Sequence, residues 1–313
     1  MRILIIRYSS LGDIVITTPV IKAIYDKYDG PQIDFLIDIR YAPILKGNPH
    51  IQNILSFDRE ENRLYEFFRL KGVLPKYDIV FDLQNKLFSR IIARAVKSRE
   101  VYTFRKNSTQ GKNRNILDMY SDFLGALGIP LEDRLYKLYY ARQRYNNRIG
   151  INIEGSRLSK RLSTDQIFGV IQRLNRQDFE IVLIGSNKSR NLAREISCRF
   201  HNIIDTTDLD VEGLIETIAT LSVLITPDSG PMHIASALDI PTVAIFGSTS
   251  PHRWLPRNAN ITLLYSNYDC SPCSEYGTPI CREQKSFSCI TSISTDIIIA
   301  EAVRLYEQIQ KEG

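Results

Sequence analysis

The chain has 313 residues, 43% hydrophobic and 24% charged, with a formal net charge of +5. That length allows two domains with separate cores, and no apolar run approaches the roughly 20 residues that a bilayer-spanning helix needs. The composition is that of a soluble globular protein. The amino-terminal run Arg2–Arg7 is too short and too quickly polar for a signal peptide, so a cytoplasmic address is expected, with room for peripheral contact at the inner face of the cytoplasmic membrane.

The elements alternate from the start. Arg2–Arg7 reads as a buried strand, and Ile14–Tyr25 as a helix with Asp13 placed to cap it. Strands follow at Ile33–Ile39 and Ile54–Phe57, a helix at Glu61–Leu70, and a strand at Asp78–Leu83. A helix runs through Ile91, Ile92 and Ala95, and another spans Met119–Leu127, stopped by Gly128 and Pro130. Polar residues between Ala141 and Arg148 mark a linker. The pattern then restarts: strands at Ile149–Ile153, Ile181–Ile184, Ile203–Ile204, Leu221–Ile225 and Thr242–Phe246, with helices at Thr164–Leu174, Arg190–Phe200 and Val211–Leu221 between them. Thr295 and Asp296 open a last amphipathic helix. This alternation predicts an α/β chain with two doubly wound, Rossmann-like parallel sheets, over residues 1–147 and 148–294. Residues 295–313 form a C-terminal helix with the option of packing back on the first domain. Ligands in such folds sit at the carboxyl ends of strands, so two domains face to face would leave a central cleft.

The net charge is unevenly shared. Residues 1–147 carry 24 Lys and Arg against 16 Asp and Glu, and the remainder 16 against 19. Arg90, Arg94, Lys97, Arg99, Arg105, Lys106, Lys112 and Arg114 supply much of the excess. A basic half suits an anionic partner, such as a phosphorylated glycolipid or an anionic membrane face, or is simply a solvated surface. No zinc-finger or RNA-recognition signature points to nucleic acid.

Three loops could carry chemistry. In Thr226-Pro227-Asp228-Ser229-Gly230-Pro231-Met232-His233 a strand ends, a tight turn follows and a helix begins with a proline in its first turn. The unpartnered first amides and the positive end of the dipole make such a turn a ready anion site, with a diphosphate as the obvious guest. Ser9-Ser10-Leu11-Gly12-Asp13 follows the first strand; Asp13 is either a helix cap or a general base for an attacking hydroxyl. Gly155-Ser156-Arg157-Leu158-Ser159-Lys160-Arg161 places small residues and cations at another strand end, as a plain basic loop or as the holder of a phosphate leaving group through Lys160. The Asp208-Leu209-Asp210 triplet precedes a helix and reads as helix-start acids rather than a metal motif. Cys270, Cys273, Cys281 and Cys289 are either reduced structural thiols or a structural metal site.

Together these segments resemble glycosyltransferase family 9, the bacterial lipopolysaccharide heptosyltransferases. The resemblance covers nearly the whole chain and rests most on residues 228–238 and on Ile240–Thr249, supported by Ser9–Asp13, Gly155–Arg161 and Cys270-Ser271-Pro272-Cys273. It implies a GT-B fold with an acceptor domain followed by a donor domain. It also implies an inverting, metal-independent transfer from ADP-heptose to a lipopolysaccharide-core or other glycan acceptor, with no cofactor. Asp13 would be the base, with Ser9, Ser10 and Gly12 in its loop. Lys160 would hold the donor phosphates with Ser156 nearby, Asp228 would contact the sugar, and Ser229, Gly230, Pro231 and His233 would line the diphosphate. Two departures bear on the donor: no acid follows Gly185, where the family often has a glutamate, and Leu162 stands where an aromatic is common. Another nucleoside-diphosphate sugar, or a non-catalytic sugar-nucleotide-binding module, are the alternative readings.

Overall fold

The computed structural model describes residues 1–106, 114–143, 147–257, 260–266, 268–283 and 286–312. Lys112 of the basic stretch and residues 144–146 of the expected linker lie outside them. The chain divides into two compact units, Met1–Gln110 with Ile116–Tyr139, and Gly111–Asn115 with Tyr140–Gly313. The change of unit thus comes at Tyr139, earlier than the polar segment suggests.

The first unit is built on five parallel strands: β1 (Arg2–Ile6), β2 (Gln32–Asp38), β3 (Asn53–Phe57), β4 (Tyr77–Asp82) and β5 (Ser98–Thr103). Their order is β3-β2-β1-β4-β5. β1 is buried from Ile3 to Ile6 because it lies centrally, between β2 and β4. The order reverses at β1, so the crevice beyond the carboxyl ends of β1 and β4 is where such a sheet takes a ligand. β5 escapes the sequence pattern: it is an edge strand, and no residue of Ser98–Thr103 is fully buried.

Helices Leu11–Ile16 and Thr18–Lys27 replace the single helix expected from Ile14 to Tyr25. Pro19 lacks the N–H that a continuous ladder would need, and it sits where proline is tolerated, in a first turn. Asp13 is not the N-cap. Ser10 takes that position, and Asp13 stands three residues on, its carboxylate turned back in a capping box.

The second unit holds six parallel strands: β6 (Arg148–Asn152), β7 (Glu180–Ile184), β8 (Ile203–Asp205), β9 (Val223–Pro227), β10 (Thr242–Phe246) and β11 (Ile261–Tyr265). The order β11-β10-β9-β6-β7-β8 reverses between β6 and β9. Both β9 and β10 are buried throughout, which explains their unbroken apolar or small-residue runs. The closing helix Thr295–Glu312 packs within the second unit. Its Ile298, Ile299, Ala302, Leu305 and Ile309 complete the second unit's own core with Ile149, Ile171 and Ile181. An apolar stripe at this spacing is satisfied by the nearest open sheet face.

Candidate active site

In the first unit, Asp13 is held by three groups beyond the carboxyl end of β1. Arg7 Nη2 lies 2.7 Å from Asp13 Oδ1, and Lys106 Nζ lies 3.2 Å from the same oxygen. Ser10 Oγ donates to Asp13 Oδ2 at 3.0 Å. Burial alone would push the Asp13 carboxyl up. Arg7 and then Lys106, with the Lys106 and Ser10 hydrogen bonds, outweigh it and hold the carboxyl well below the usual carboxylate range. Arg7 is itself buried and also donates to the Leu83 carbonyl at 2.6 Å, which ties the ends of β1 and β4 together. Gln84 continues that tie: its Oε1 accepts from the Tyr8 and Ser9 amides at 3.1 Å each, and its Nε2 donates to Ser9 Oγ at 3.3 Å.

Beside Ser9 opens a cavity of about 320 Å³, lined by Tyr8, Phe57, Arg59, Gln84 and Lys86 among others. Tyr8 meets Phe57 edge-on with ring centroids 5.4 Å apart, and the Arg59 guanidinium sits 5.5 Å from the Tyr8 centroid. An aromatic wall edged by Arg59 and Lys86, with Asp58 and Glu66 also in the lining, suits the apolar face of a sugar and offers charged partners to its polar groups.

In the second unit, Lys160 Nζ pairs with Asp228 Oδ2 at 2.8 Å, and Thr249 Oγ1 donates to the same oxygen at 2.7 Å. Three strand ends meet here: Lys160 follows β6, Asp228 follows β9 and Thr249 follows β10. Ser229 is the N-cap of helix Gly230–Ala237, yet its side chain makes no cap. Its hydroxyl instead receives Asn152 Nδ2 at 2.9 Å and lies 3.0 Å from Thr226 Oγ1. The first amides of that helix therefore lack the serine oxygen that usually satisfies them, which keeps them suited to an anion. Pro231 lies in the first turn and His233 is buried inside the helix. Ser156 is exposed on the loop after β6.

The buried serine of that loop is Ser159, which sequence reasoning passed over. Its hydroxyl accepts from Ser248 Oγ and from the Thr278 amide, both at 2.7 Å. Cys273 and Ser274 amides bond the Ser248 carbonyl at 3.0 Å. The cysteine segment is thereby clasped onto the Lys160 loop. Gly277, at φ +88°, lies against the Lys160 stem: a β-carbon there would come 2.7 Å from Lys160 Cδ. Gly155 is needed for a similar reason, since its β-carbon would meet the Lys160 carbonyl oxygen at 2.5 Å.

A second missed residue is Glu154. Its Oε2 accepts from Ser186 N and Oγ at 2.7 Å each and from Ser189 Oγ at 3.1 Å. The turn after β7 thus carries a carboxylate after all, supplied from the loop after β6. Asp210 caps helix Val211–Ala219 through the Gly213 amide at 2.9 Å, as expected for helix-start acids. All five cysteines are free thiols. Burial first, then the neighbouring cysteines, push Cys289 up to about 11. Among the described residues no group of three or more His, Cys, Asp or Glu is arranged to hold a metal ion.

The family model for glycosyltransferase family 9 (heptosyltransferase) matches residues 125–282, just over half of the chain. A lipooligosaccharide heptosyltransferase 2 of Campylobacter jejuni is 25% identical across 97% of this chain and 99% of its own length. Two solved structures share the fold: a family 9 glycosyl transferase from Veillonella parvula (TM-score 0.81, 18% identity, 98% of this chain and 97% of that one) and an Escherichia coli ADP-heptose lipopolysaccharide heptosyltransferase II (TM-score 0.77, 18% identity, 99% and 100%). The two parallel-sheet units are accordingly the Rossmann-like domains of a GT-B fold. With the matched stretch taking in Lys160, Asp228 and the helix start that follows it, the chain belongs to glycosyltransferase family 9, the heptosyltransferase family, and is a glycosyltransferase.

Proposed function

We propose that the protein transfers a heptose from ADP-heptose to a lipopolysaccharide-core or other glycan acceptor, with inversion and without a metal. The first domain takes the acceptor and the second the donor. The acceptor hydroxyl attacks the anomeric carbon, the bond to the diphosphate breaks, and the proton passes to Asp13. A carboxylate held this far down is ionised at neutral pH but weakly basic. Proton transfer therefore runs late, once the attacking oxygen has begun to bond and its hydroxyl has become acidic. Lys160 and the first amides of helix Gly230–Ala237 neutralise the departing diphosphate. Asp228, bonded to Lys160 and Thr249, sets the height of the lysine and contacts the sugar.

The observation that carries this reading is the Lys160–Asp228 pair beside the uncapped start of that helix. The family match supports the sugar, and the E. coli relative's description names ADP-heptose for that protein. The acceptor domain carries the positive charge that a phosphorylated, lipid-linked acceptor at the inner face of the cytoplasmic membrane would call for. The described residues contain no helix long and apolar enough to cross a membrane.

Product analysis with labelled ADP-heptose and core oligosaccharides tests the reaction. Thermal-shift titration with ADP, UDP and GDP tests the nucleotide: ADP should stabilise most, and preference for UDP or GDP would overturn the heptose reading. That second reading, another nucleoside-diphosphate sugar, draws on the turn after β7, where Ser186 and Ser189 occupy Glu154 and no acid follows Gly185.

A further inference from the structure

We propose that the outer face of helices Arg63–Val73 and Leu87–Ala95 is a docking surface for an anionic phospholipid leaflet. Each helix buries one side in the first unit: Leu70 on one, and Ser89, Ile92 and Ala93 on the other. The opposite sides are apolar as well. Leu64, Tyr65, Phe68 and Val73 are each more than 60% exposed, Leu87 is 76% exposed and Ile91 41%. These are six of the seventeen large hydrophobic side chains exposed among the described residues, gathered on two neighbouring helices. Isolated exposed apolar residues mean little, whereas a gathered set marks an interaction site. A groove of about 360 Å³ runs between the helices, floored by Phe67, Leu70, Leu74, Ile92 and Val96 and edged by Lys71, Lys76 and Lys97.

Charge selects the occupant. From residue 64 to 97 every exposed charged side chain is a cation, Lys71, Lys76, Lys86, Arg90, Arg94 and Lys97, and the exposed acids Glu60 and Glu61 lie just before the first helix. Of the acids in that stretch, Glu66 is buried against Arg69 at 2.6 Å, Asp82 is buried, and Asp78 is half-buried. A second copy of the chain would set these cations against their equivalents, which disfavours self-association. Large apolar side chains interleaved with lysine and arginine match a bilayer interface. There the apolar groups enter the acyl boundary and the cations meet lipid phosphates. The face is continuous with the acceptor side, because Lys86 and Leu87 also line the cavity beside Ser9. The surface rests on the lipid-linked acceptor reading only for its purpose.

The test is flotation of the intact protein, without donor or acceptor, on vesicles of phosphatidylcholine alone and of phosphatidylcholine with phosphatidylglycerol. Binding is expected to the mixed vesicles, weakly or not at all to the neutral ones, and to fall with added salt. F68Q/I91Q should weaken it at least tenfold, and K71Q/R90Q/R94Q by roughly a hundredfold. Both variants should keep the wild-type melting curve and the wild-type rate on a delipidated, soluble acceptor. Equal binding to the two lipids, no binding, or binding untouched by either variant would overturn the proposal. So would a dimer in light scattering that F68Q/I91Q abolishes. Vesicle binding that persists in a protein inactive with ADP-heptose would remove the proposed reaction and leave the docking surface standing.

Discussion

Arg7 and Asp13 meet at 2.7 Å, and the same guanidinium donates to the Leu83 carbonyl at 2.6 Å. One buried arginine therefore sets both the protonation of the proposed base and the spacing of the two strand ends beside it. Neutralising it while keeping a hydrogen-bonding side chain separates the two roles. In R7Q the burial that favours the protonated form faces Lys106 and Ser10 alone, so the Asp13 carboxyl should rise. The acid limb of kcat/KM should move toward neutrality relative to wild type. An unmoved limb would show that Asp13 is not the titrating base.

D13N should lower kcat by about 10²- to 10⁴-fold, the usual contribution of a positioned base, and leave ADP affinity nearly unchanged. Activity within a few-fold of wild type would remove Asp13 from the reaction.

The same residue predicts acid stability. The folded Asp13 carboxyl lies below its ordinary value of 3.8, so its contribution to stability is complete above that pH and is lost as pH falls through the folded value. Urea midpoints of wild type and D13N should differ most at neutral pH and converge in acid. A difference that stayed constant from neutral pH to well below 3.8 would contradict the ion-pair account.

G277A should weaken donor binding without unfolding the protein. The new methyl group collides with the Lys160 stem, and φ +88° penalises any side chain there. We expect a rise of about tenfold in the ADP dissociation constant, on the order of 1.4 kcal/mol, with K160A larger. Unchanged ADP affinity in G277A would mean that Lys160 does not need its present path.

Thiol labelling separates the cysteines. Cys198 is exposed, whereas Cys289 is buried and pushed up to about 11. Iodoacetamide at neutral pH should modify Cys198 first and Cys289 only on unfolding. Early loss of the Cys289 thiol would contradict its burial.

Much of this was legible in the residues. Central strands such as β1 and β9 are apolar because both faces are covered, and they declared themselves. β5 and β11 did not, since Ser98–Thr103 and Ile261–Tyr265 are edge strands with no fully buried residue. Asp13, Lys160 and Asp228 were readable because they sit in short loops at strand ends. Their partners were not, because Arg7, Thr249 and Ser159 look like ordinary polar residues until the sheet order brings them together. Glu154 was hidden in another way. The turn after β7 has no acid of its own, and only the pairing of β6 with β7 delivers one. The role of helix Thr295–Glu312 was open because an apolar stripe states that it must be covered, not by what.

That helix carries a consequence for biosynthesis. The sheet of the first unit is complete once Thr103 has been made, so folding there can begin while the ribosome is still early in the message. The other sheet waits. Its hydrophobic interior, opened at Ile149, is closed only by Ile309, and every nascent chain shorter than that leaves an oily flank of the second unit bare to chaperones and proteases.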